Sequence, residues 1–252
     1  MSRGFTTLFY KEVLRFRKVV LQTVVAPAIT TLLYLLVFSH ALEQHVTMFG
    51  DIGYTVFLVP GLVMMTVIQN AFANSSSSLI QSKITGNLIF ILLTPLSHVE
   101  FYLAFVLAAV ARGLVVGLAV YLCAAPFVPL PLHSAAAVVA FAVLGSAVLG
   151  TLGVIAGIWA EKFDQLAGFQ NFIIVPLSFL SGVFYSIGSL PEFWQHLSKL
   201  NPFFYMIDGF RYGFIGRSDI APGVSLTVVA ATLLLLSALT LHLLRRGYRL
   251  RN

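Results

Sequence analysis

The residues best suited to bind a metal lie in the stretch "HALEQH", which holds His40, Glu43 and His45. A zinc hydrolase of the H-E-x-x-H type places two imidazoles one helical turn apart, with a glutamate as the base. The inverted motif uses the same groups in reverse order. The spacing here matches neither pattern. We therefore interpret this stretch as a loop that contains histidines, and we predict no metal site.

The sequence also contains no convincing cluster of a nucleophile and a base for covalent catalysis. Ser218, in "GRSD", has no convincing base beside it, and His98 and Glu100 flank a loop. Neither arrangement gives a nucleophile with an oriented base. The phosphate-cradling motif G-x-x-x-x-G-K-[ST] does not occur in the sequence, so nothing in this chain is expected to hold ATP. These residues do not favour a membrane-embedded enzyme.

One charged residue, Arg112, falls inside a long apolar stretch. Charge at that depth of a bilayer is costly and usually functional. A guanidinium stays charged and cannot shuttle protons. We expect Arg112 to snorkel toward the inner surface or to pair with Glu100, about three helical turns earlier, through a wet vestibule. A partner on another helix is an equal alternative.

The composition indicates which kind of secondary structure positions these side chains. Of 252 residues, 59% are hydrophobic and 10% are charged, whereas soluble domains have about a quarter of their residues charged. The chain is predicted to be a single all-α membrane domain, residues 1–252. The net charge of +6 comes from Lys and Arg beside apolar runs, which indicates membrane anchoring and not nucleic-acid binding. The single cysteine, Cys123, excludes an intrachain disulfide.

Six apolar runs are long enough to cross a hydrocarbon core of about 30 Å. They lie at about 19–38, 53–73, 101–124, 135–159, 168–187 and 223–244. With this arrangement eleven basic residues fall on one side of the membrane and three on the other. Both termini are therefore predicted to be cytoplasmic.

A short amphipathic helix is predicted before the first span, at residues 5–18. Its apolar side chains recur at helical spacing, while Lys11, Arg15 and Lys18 share another face. Such a helix would lie along the inner leaflet with its basic face toward anionic lipid head groups. The alternative is a basic flank that only sets the topology.

The segment "LIQSKITGNLIFILLTPLSHVE" follows the second span. Within it, Ile80, Ile84, Leu88 and Ile91 can share one stripe of a helix at the cytoplasmic surface, residues 79–96. Pro95 is expected to end this helix and to push Thr94 into an extended conformation. A short rigid helix there is suited to receive force from a soluble partner. A plain cytoplasmic loop is the alternative.

The connection 188–222 is too polar to span and too apolar to float in water. Its prolines and glycines predict one or two short helices that dip back into the outer leaflet at 188–216 and cap the bundle. Its aromatic side chains suit the membrane interface. Asp208 and Arg211, three residues apart, are expected to pair with each other or across a subunit boundary. The candidate residues of this region are Pro191, Trp194, Asn201, Pro202, Asp208 and Arg211.

The amphipathic start, the stretch "LLTPLSHVE" and the stretch "LSGVFYSIGSLPEFWQHLSKLNPFFYMIDGFRYGFIG" together resemble the permease subunit of the type-two ABC exporters. This is the family of drug, polysaccharide and lipo-oligosaccharide export permeases. The resemblance covers essentially the whole chain and is most specific at 90–100 and 180–216.

The resemblance implies a six-span subunit of the bacterial inner membrane, with an N-terminal interfacial helix, a coupling helix and outer re-entrant helices. It implies pairing with a second copy and with two separate ATPase subunits. The chain itself would need no cofactor, because the partner subunits would bind ATP and Mg²⁺. The implied coupling residues in 79–96 are Ile80, Lys83, Ile84, Asn87, Leu88, Thr94 and Pro95.

The resemblance also assigns a gate helix to residues 5–18 and an outer closure to 188–216. A hydrophobic, lipid-linked or glycan-type cargo, or a drug, would then move outward, with membrane lipids as neighbours. The candidate substrate path contains Phe172, Phe179, Phe184 and Tyr185, although such aromatic residues also serve as plain packing.

An autonomous secondary transporter or channel is the main alternative. A proton-coupled carrier would need titratable groups at mid-membrane, and Arg112 is the only charged residue of the spans considered. The patterns G-x-x-x-G at Gly113/Gly117, Gly153/Gly157 and Gly209/Gly213 permit close helix packing. They do not discriminate between the two hypotheses.

Overall fold

The computed structural model of the chain describes residues 3–42 and 47–249. These residues form an all-α bundle apart from one small antiparallel pair, β1 (Thr47–Met48) and β2 (Ile52–Gly53). The helices are α1 (Arg3–Lys18), α2 (Val20–Leu42), α3 (Tyr54–Ile84), α4 (Asn87–Leu93), α5 (His98–Ala124), α6 (Ala135–Trp159), α7 (Phe163–Phe169), α8 (Val175–Phe179), α9 (Glu192–Lys199), α10 (Pro202–Ile215) and α11 (Pro222–Arg246).

Five helices of the described residues are long and apolar enough to cross a membrane: α2, α3, α5, α6 and α11. They correspond to five of the six runs predicted from the sequence, and they confirm an all-α membrane protein.

The other predicted span, 168–187, differs from the prediction. Helical structure there begins earlier, at Phe163, continues through a π-helical turn at Gln170–Ile174, and ends with α8 at Phe179. The chain then leaves the helix through Gly182, whose φ of 73° belongs to the left-handed region that favours glycine. The stretch is apolar as predicted, but its helix ends at Phe179, before the predicted limit.

Helix α3 forms the centre of the bundle. It has 31 residues, and most of its side chains are buried. It packs against α5 and α6 through glycines: a Cβ added at Gly153 would lie 2.5 Å from the carbonyl oxygen of Phe72. One added at Gly157 would lie 2.8 Å from the Cβ of Leu79. These glycines therefore bring α6 against α3 within one chain.

The two ends of the bundle differ in construction. One end, here called the terminal rim, consists of α1, α4, the start of α5 and the ends of α3, α6 and α11. It contains a small apolar cluster that includes Phe5, Leu79 and Phe105. The end with α9 and α10 is called the opposite rim. Between the rims, α2 and α11 expose large apolar side chains such as Leu33, Leu36 and Leu234. These exposed surfaces suit contact with lipid or with another protein chain.

Candidate functional site

The predicted coupling segment 79–96 is not one helix. Helix α3 continues to Ile84, and Gly86, with φ of 71°, separates it from α4. The expected stripe is therefore divided: Ile80 is buried in α3, Ile84 is half-exposed, and Leu88 is buried in α4. The prediction of one continuous stripe was wrong because the left-handed glycine changes the direction of the chain.

Helix α4 is anchored by one side chain and exposes several others. Leu88 is 3% exposed and belongs to the apolar cluster of the terminal rim. By contrast Ile89, Phe90 and Leu93 are 57%, 70% and 76% exposed. Helix α4, which is seven residues long, thus has a rigid apolar surface that faces away from the bundle.

Lys83 has a structural role that the sequence did not reveal. Its ammonium group donates to the carbonyl oxygens of Ile158 and Ala160, the latter at 3.1 Å. These carbonyls belong to the end of α6, where helical carbonyls lack partners within their own helix. Lys83 therefore caps α6 through its ammonium group.

The far end of the segment follows the sequence expectation closely. Thr94 is extended, with ψ of 151°, and its hydroxyl donates to the carbonyl oxygen of Ile91 at 2.6 Å. Pro95 follows the end of α4. Ser97 and Glu100 then form a capping box that starts α5. Asn87, the first residue of α4, is exposed.

The N-terminal helix docks on the bundle and does not only cover a lipid surface. Phe5 and Leu8 are buried in the apolar cluster of the terminal rim. Glu12 is fully buried, and its Oε1 accepts hydrogen bonds from Ser78 Oγ at 2.8 Å and Lys11 Nζ at 2.9 Å. An acidic side chain, which the helix-surface interpretation ignored, is therefore the centre of this contact.

Arg15 faces α3, whereas the sequence predicted that it faces lipid head groups. Its Nη2 donates to the carbonyl oxygen of Asn74 at 2.6 Å, and its Nη1 donates to Ser77 Oγ at 3.1 Å. Its Nε lies 3.6 Å from Glu12 Oε2. Burial lowers the pKa of Arg15 from its usual value, and the Glu12 carboxylate opposes that shift.

Arg112 binds a neighbouring helix. Its Nη2 donates to Asn70 Oδ1 of α3 at 3.2 Å, and its guanidinium carbon lies 5.8 Å from the ring centroid of Phe16. This contact is the partner on another helix that the sequence left as an equal alternative to Glu100. The Glu100 carboxylate accepts from the backbone N–H of Ser97 at 3.1 Å.

The aromatic residues of the candidate path do not line one surface. Phe172 is 83% exposed, whereas Phe179 and Phe184 stack with ring centroids 5.5 Å apart. The Tyr185 hydroxyl donates to the carbonyl oxygen of Phe179 at 3.2 Å. Three of the four residues thus form a packed group at the end of α8, separate from Phe172.

The opposite rim contains two short helices within 188–216. Pro191 precedes α9, and Pro202 occupies the first turn of α10. Asn201 caps α10 by accepting from the N–H of Phe203 at 3.0 Å, and its amide donates to the carbonyl oxygen of Leu177 at 2.7 Å. Trp194 is 46% exposed on α9.

Asp208 and Arg211 are both fully buried, yet they are not within ion-pair distance. The Asp208 carboxylate accepts from the backbone N–H groups of Asp219 at 2.9 Å and Ile220 at 3.1 Å. Arg211 donates to carbonyl oxygens of other segments. The predicted direct pair was wrong because Asp208 binds backbone N–H groups of the loop after α10, whereas Arg211 binds carbonyl oxygens of α3 and of the loop after α8.

The residues that join α1 to α3 could not be recognised from the spans predicted above. The stretch "NSSSS", residues 74–78, lies beyond the predicted end of the second span at residue 73, but it is helical and mostly buried. The sequence did contain one indication of this contact, because Glu12 is the only acidic residue before the first apolar run.

Of the residues considered as metal ligands, Glu43 and His45 lie outside the described residues. Within the described part of the chain, no group of three or more His, Cys, Asp or Glu residues could hold a metal ion.

The fold and its two specialised rims define a multi-pass helical membrane protein with a docked N-terminal helix. The chain belongs to the ABC-2 type transporter family, whose sequence pattern matches residues 3–215. It is 37% identical over 246 residues to the inner membrane transport permease YadH of Escherichia coli strain K12, covering 98% of this chain and 96% of that protein. The YadH proteins of Escherichia coli O157:H7 and Shigella flexneri give the same values.

Proposed function

We propose that this chain is the permease subunit of an ATP-driven exporter of the bacterial inner membrane. Two copies would associate with two separate ATPase subunits, and both termini and the terminal rim would face the cytoplasm. The cargo would be a hydrophobic, lipid-linked or glycan-type compound, or a drug, that moves outward. Membership of the ABC-2 type transporter family and the similarity to inner membrane transport permeases support this proposal.

The exposed surface of α4 is the observation that carries the proposal. Ile89, Phe90 and Leu93 project from a helix that Leu88 anchors to the bundle. Exposed apolar side chains of this size on a short rigid helix are typical of protein interfaces. An ATPase subunit that binds α4 could move it as a unit with α3, because a two-residue turn, Thr85 and Gly86, connects the two helices.

The proposed transport step is a rigid-body movement. ATP binding would bring the two ATPase subunits together, and each would displace the α4 to which it binds. Because α3 packs against both α5 and α6, a displacement at α4 would reach helices that run the length of the bundle. The exposed apolar surface of α2 would allow contact with a second copy or with lipid.

The test is coexpression of the chain with candidate ATPase subunits, followed by purification and measurement of bound ATPase. Phe90→Asp and Leu93→Asp should reduce the bound ATPase by tenfold or more, corresponding to about 1.4 kcal/mol or more of binding free energy. Leu88→Asp is unsuitable, since a buried charge would disrupt the fold.

Phe193→Asp is the matched control. Phe193 and Phe90 are each 70% exposed, but Phe193 lies on α9 at the opposite rim. The control should retain the ATPase. Equal retention by Phe90→Asp would contradict the docking role of α4. ATP-independent transport by the purified chain in vesicles would instead favour an autonomous carrier.

A further inference from the structure

A cavity of about 820 Å³ lies between α2, α3, α5 and α7, next to the end of α1. Its lining includes two guanidinium groups, from Arg15 and Arg112, and the amide side chains of Gln22, Asn70 and Gln170. Such a polar lining is unusual among helices as apolar as these. Polar groups at membrane depth are typically placed where they face protein, water or a ligand.

The length of α3 indicates the depth of this cavity. At 1.5 Å per residue, 31 residues extend about 46 Å, roughly 16 Å more than the hydrocarbon core. With the start of α3 placed at one boundary of the hydrocarbon core, the excess length extends beyond the other boundary, and residues 70–77 lie close to it. The cavity therefore lies at the level of lipid head groups.

The positive charges of the two guanidinium groups are not balanced equally by their neighbours. Glu12 lies beside Arg15, with 3.6 Å between Oε2 and Nε. Arg112 has the neutral acceptor Asn70 Oδ1 at 3.2 Å, and its buried Nε has no hydrogen-bond partner among the described residues. No described ion pair includes Arg112. Asp164 also lines the cavity, but its side chain is exposed.

The apolar part of the lining suggests where the rest of a ligand would extend. Val19 and Phe163 line the cavity and are 43% and 50% exposed. Val19 is the single residue between α1 and α2, and Phe163 is the first residue of α7. A charged head group at Arg112 would thus have an apolar surface beside it, next to helices that face lipid.

We propose that Arg112, supported by Asn70 and Arg15, forms a binding subsite for the phosphate or a similar oxyanion group of an amphiphilic cargo. This inference rests on the proposed function and specifies the chemical class of the substrate. Guanidinium groups bind phosphate through paired N–H donors, and such bonds are stronger than those between neutral groups. The partly desolvated position of Arg112 strengthens its attraction for an anion.

Direct binding to the full chain in phosphatidylcholine nanodiscs tests the proposal without any ATPase. The probe is tritiated dodecyl phosphate, measured by scintillation proximity, and dodecyl maltoside serves as the neutral amphiphile. Arg112→Gln should weaken dodecyl phosphate binding about tenfold or more, as expected for a lost charge-assisted contact. Arg112→Lys should restore part of the affinity because the charge remains.

Lys162→Gln is the matched control. It removes one positive charge close to the cavity in sequence, but Lys162 does not line it, and its binding should stay within about twofold of wild type. Gln22→Glu is a second variant at an exposed cavity position. It adds a negative charge and should weaken binding severalfold even if Arg112→Gln fails to fold.

Competition by inorganic phosphate distinguishes the sources of the anion. Full displacement at low millimolar concentration would indicate that the oxyanion alone is recognised, whereas no displacement would indicate an amphiphile head group. Equal binding by wild type, Arg112→Gln and Gln22→Glu, or equal affinity for the neutral amphiphile, would overturn the subsite. Because the assay contains no ATPase, such a failure would leave the ATPase-docking test unaffected.

Discussion

Ser78 of α3 donates a hydrogen bond to Glu12 of α1 over 2.8 Å, and both side chains are buried. The same carboxylate lies beside Arg15 and Lys11. This contact joins the N-terminal helix to the central helix of the bundle. A helix that was expected to lie on the membrane surface is thereby held in place by buried polar groups.

Glu12→Ala should destabilise the protein by about 3 to 5 kcal/mol, because it leaves Arg15 partly buried without its carboxylate. Ser78→Ala removes a single hydrogen bond and should cost about 1 to 2 kcal/mol. Thermal unfolding in detergent, followed by intrinsic fluorescence, measures both. Glu192→Ala, at an exposed position of α9, should leave the unfolding temperature unchanged. A similar result for Glu12→Ala would contradict the buried contact.

Gly86→Ala should alter the turn between α3 and α4. Gly86 has φ of 71°, and nothing lies within 4 Å of an added Cβ, so any cost comes from the backbone alone. That cost is about 1 to 2 kcal/mol for alanine and less for asparagine. We expect reduced ATPase stimulation in the assembled complex for Gly86→Ala and partial recovery for Gly86→Asn.

Gly168→Ala provides the control for this change. Gly168 also has nothing within 4 Å of an added Cβ, but its φ is not positive. Its substitution should therefore leave coupling intact. If both alanine variants behaved alike, the conformation of Gly86 would not be what sets the position of α4.

Arg211→Lys should destabilise the opposite rim by about 3 kcal/mol, through lost charge-assisted hydrogen bonds and lost stacking. The Arg211 guanidinium donates to the carbonyl oxygens of Phe57 at 3.2 Å, Gly182 at 2.7 Å and Val183 at 3.3 Å. It also lies 3.7 Å from the Phe57 ring centroid. A lysine ammonium cannot reproduce this planar arrangement.

Limited proteolysis of the loop after α8 measures this effect, since a weakened contact should expose Gly182 and Val183. Arg217→Lys is the control, because Arg217 is exposed and should not need a planar head group. Unchanged cleavage in Arg211→Lys would show that the three carbonyl contacts are dispensable.

The sequence predicted most of the long helices because hydrophobic length is a direct physical requirement of the bilayer. It also placed the breaks at Pro191 and Pro202, where the missing N–H and the fixed φ restrict the chain. It failed at residues 74–78, which lie beyond the predicted end of the second span at residue 73 but continue α3. Ser76 donates to the carbonyl oxygen of Phe72 four residues earlier, at 2.8 Å, so its hydroxyl is satisfied inside the helix.

The side-chain pairings at the site were less predictable. Spacing of three residues placed Asp208 near Arg211, but it could not show that backbone groups outside α10 would bind each of them. The partner of Arg112 was likewise left open, since Asn70 lies 42 positions away in the chain. Contacts of this kind depend on how helices pack, which local patterns do not determine.

The last prediction concerns Asp208 and pH. Burial raises the pKa of Asp208 to about 6, while the N–H groups of Asp219 and Ile220 and the charge of Arg211 oppose the shift. The folded carboxyl therefore binds a proton between pH 4 and 6 that the unfolded chain has already released. The stabilisation from this proton is complete below pH 4, is lost as the pH rises to about 6, and stays constant above that.

The expected slope is at most about 1.4 kcal/mol per pH unit, and unfolding temperatures measured between pH 4 and 8 would show it. Asp208→Asn should remove this component, because the amide does not titrate. The comparison uses the difference between wild type and variant at each pH, so that other titrating groups cancel. A difference that grows above pH 6, or that is constant from pH 4 to 8, would contradict a raised pKa at this buried carboxyl.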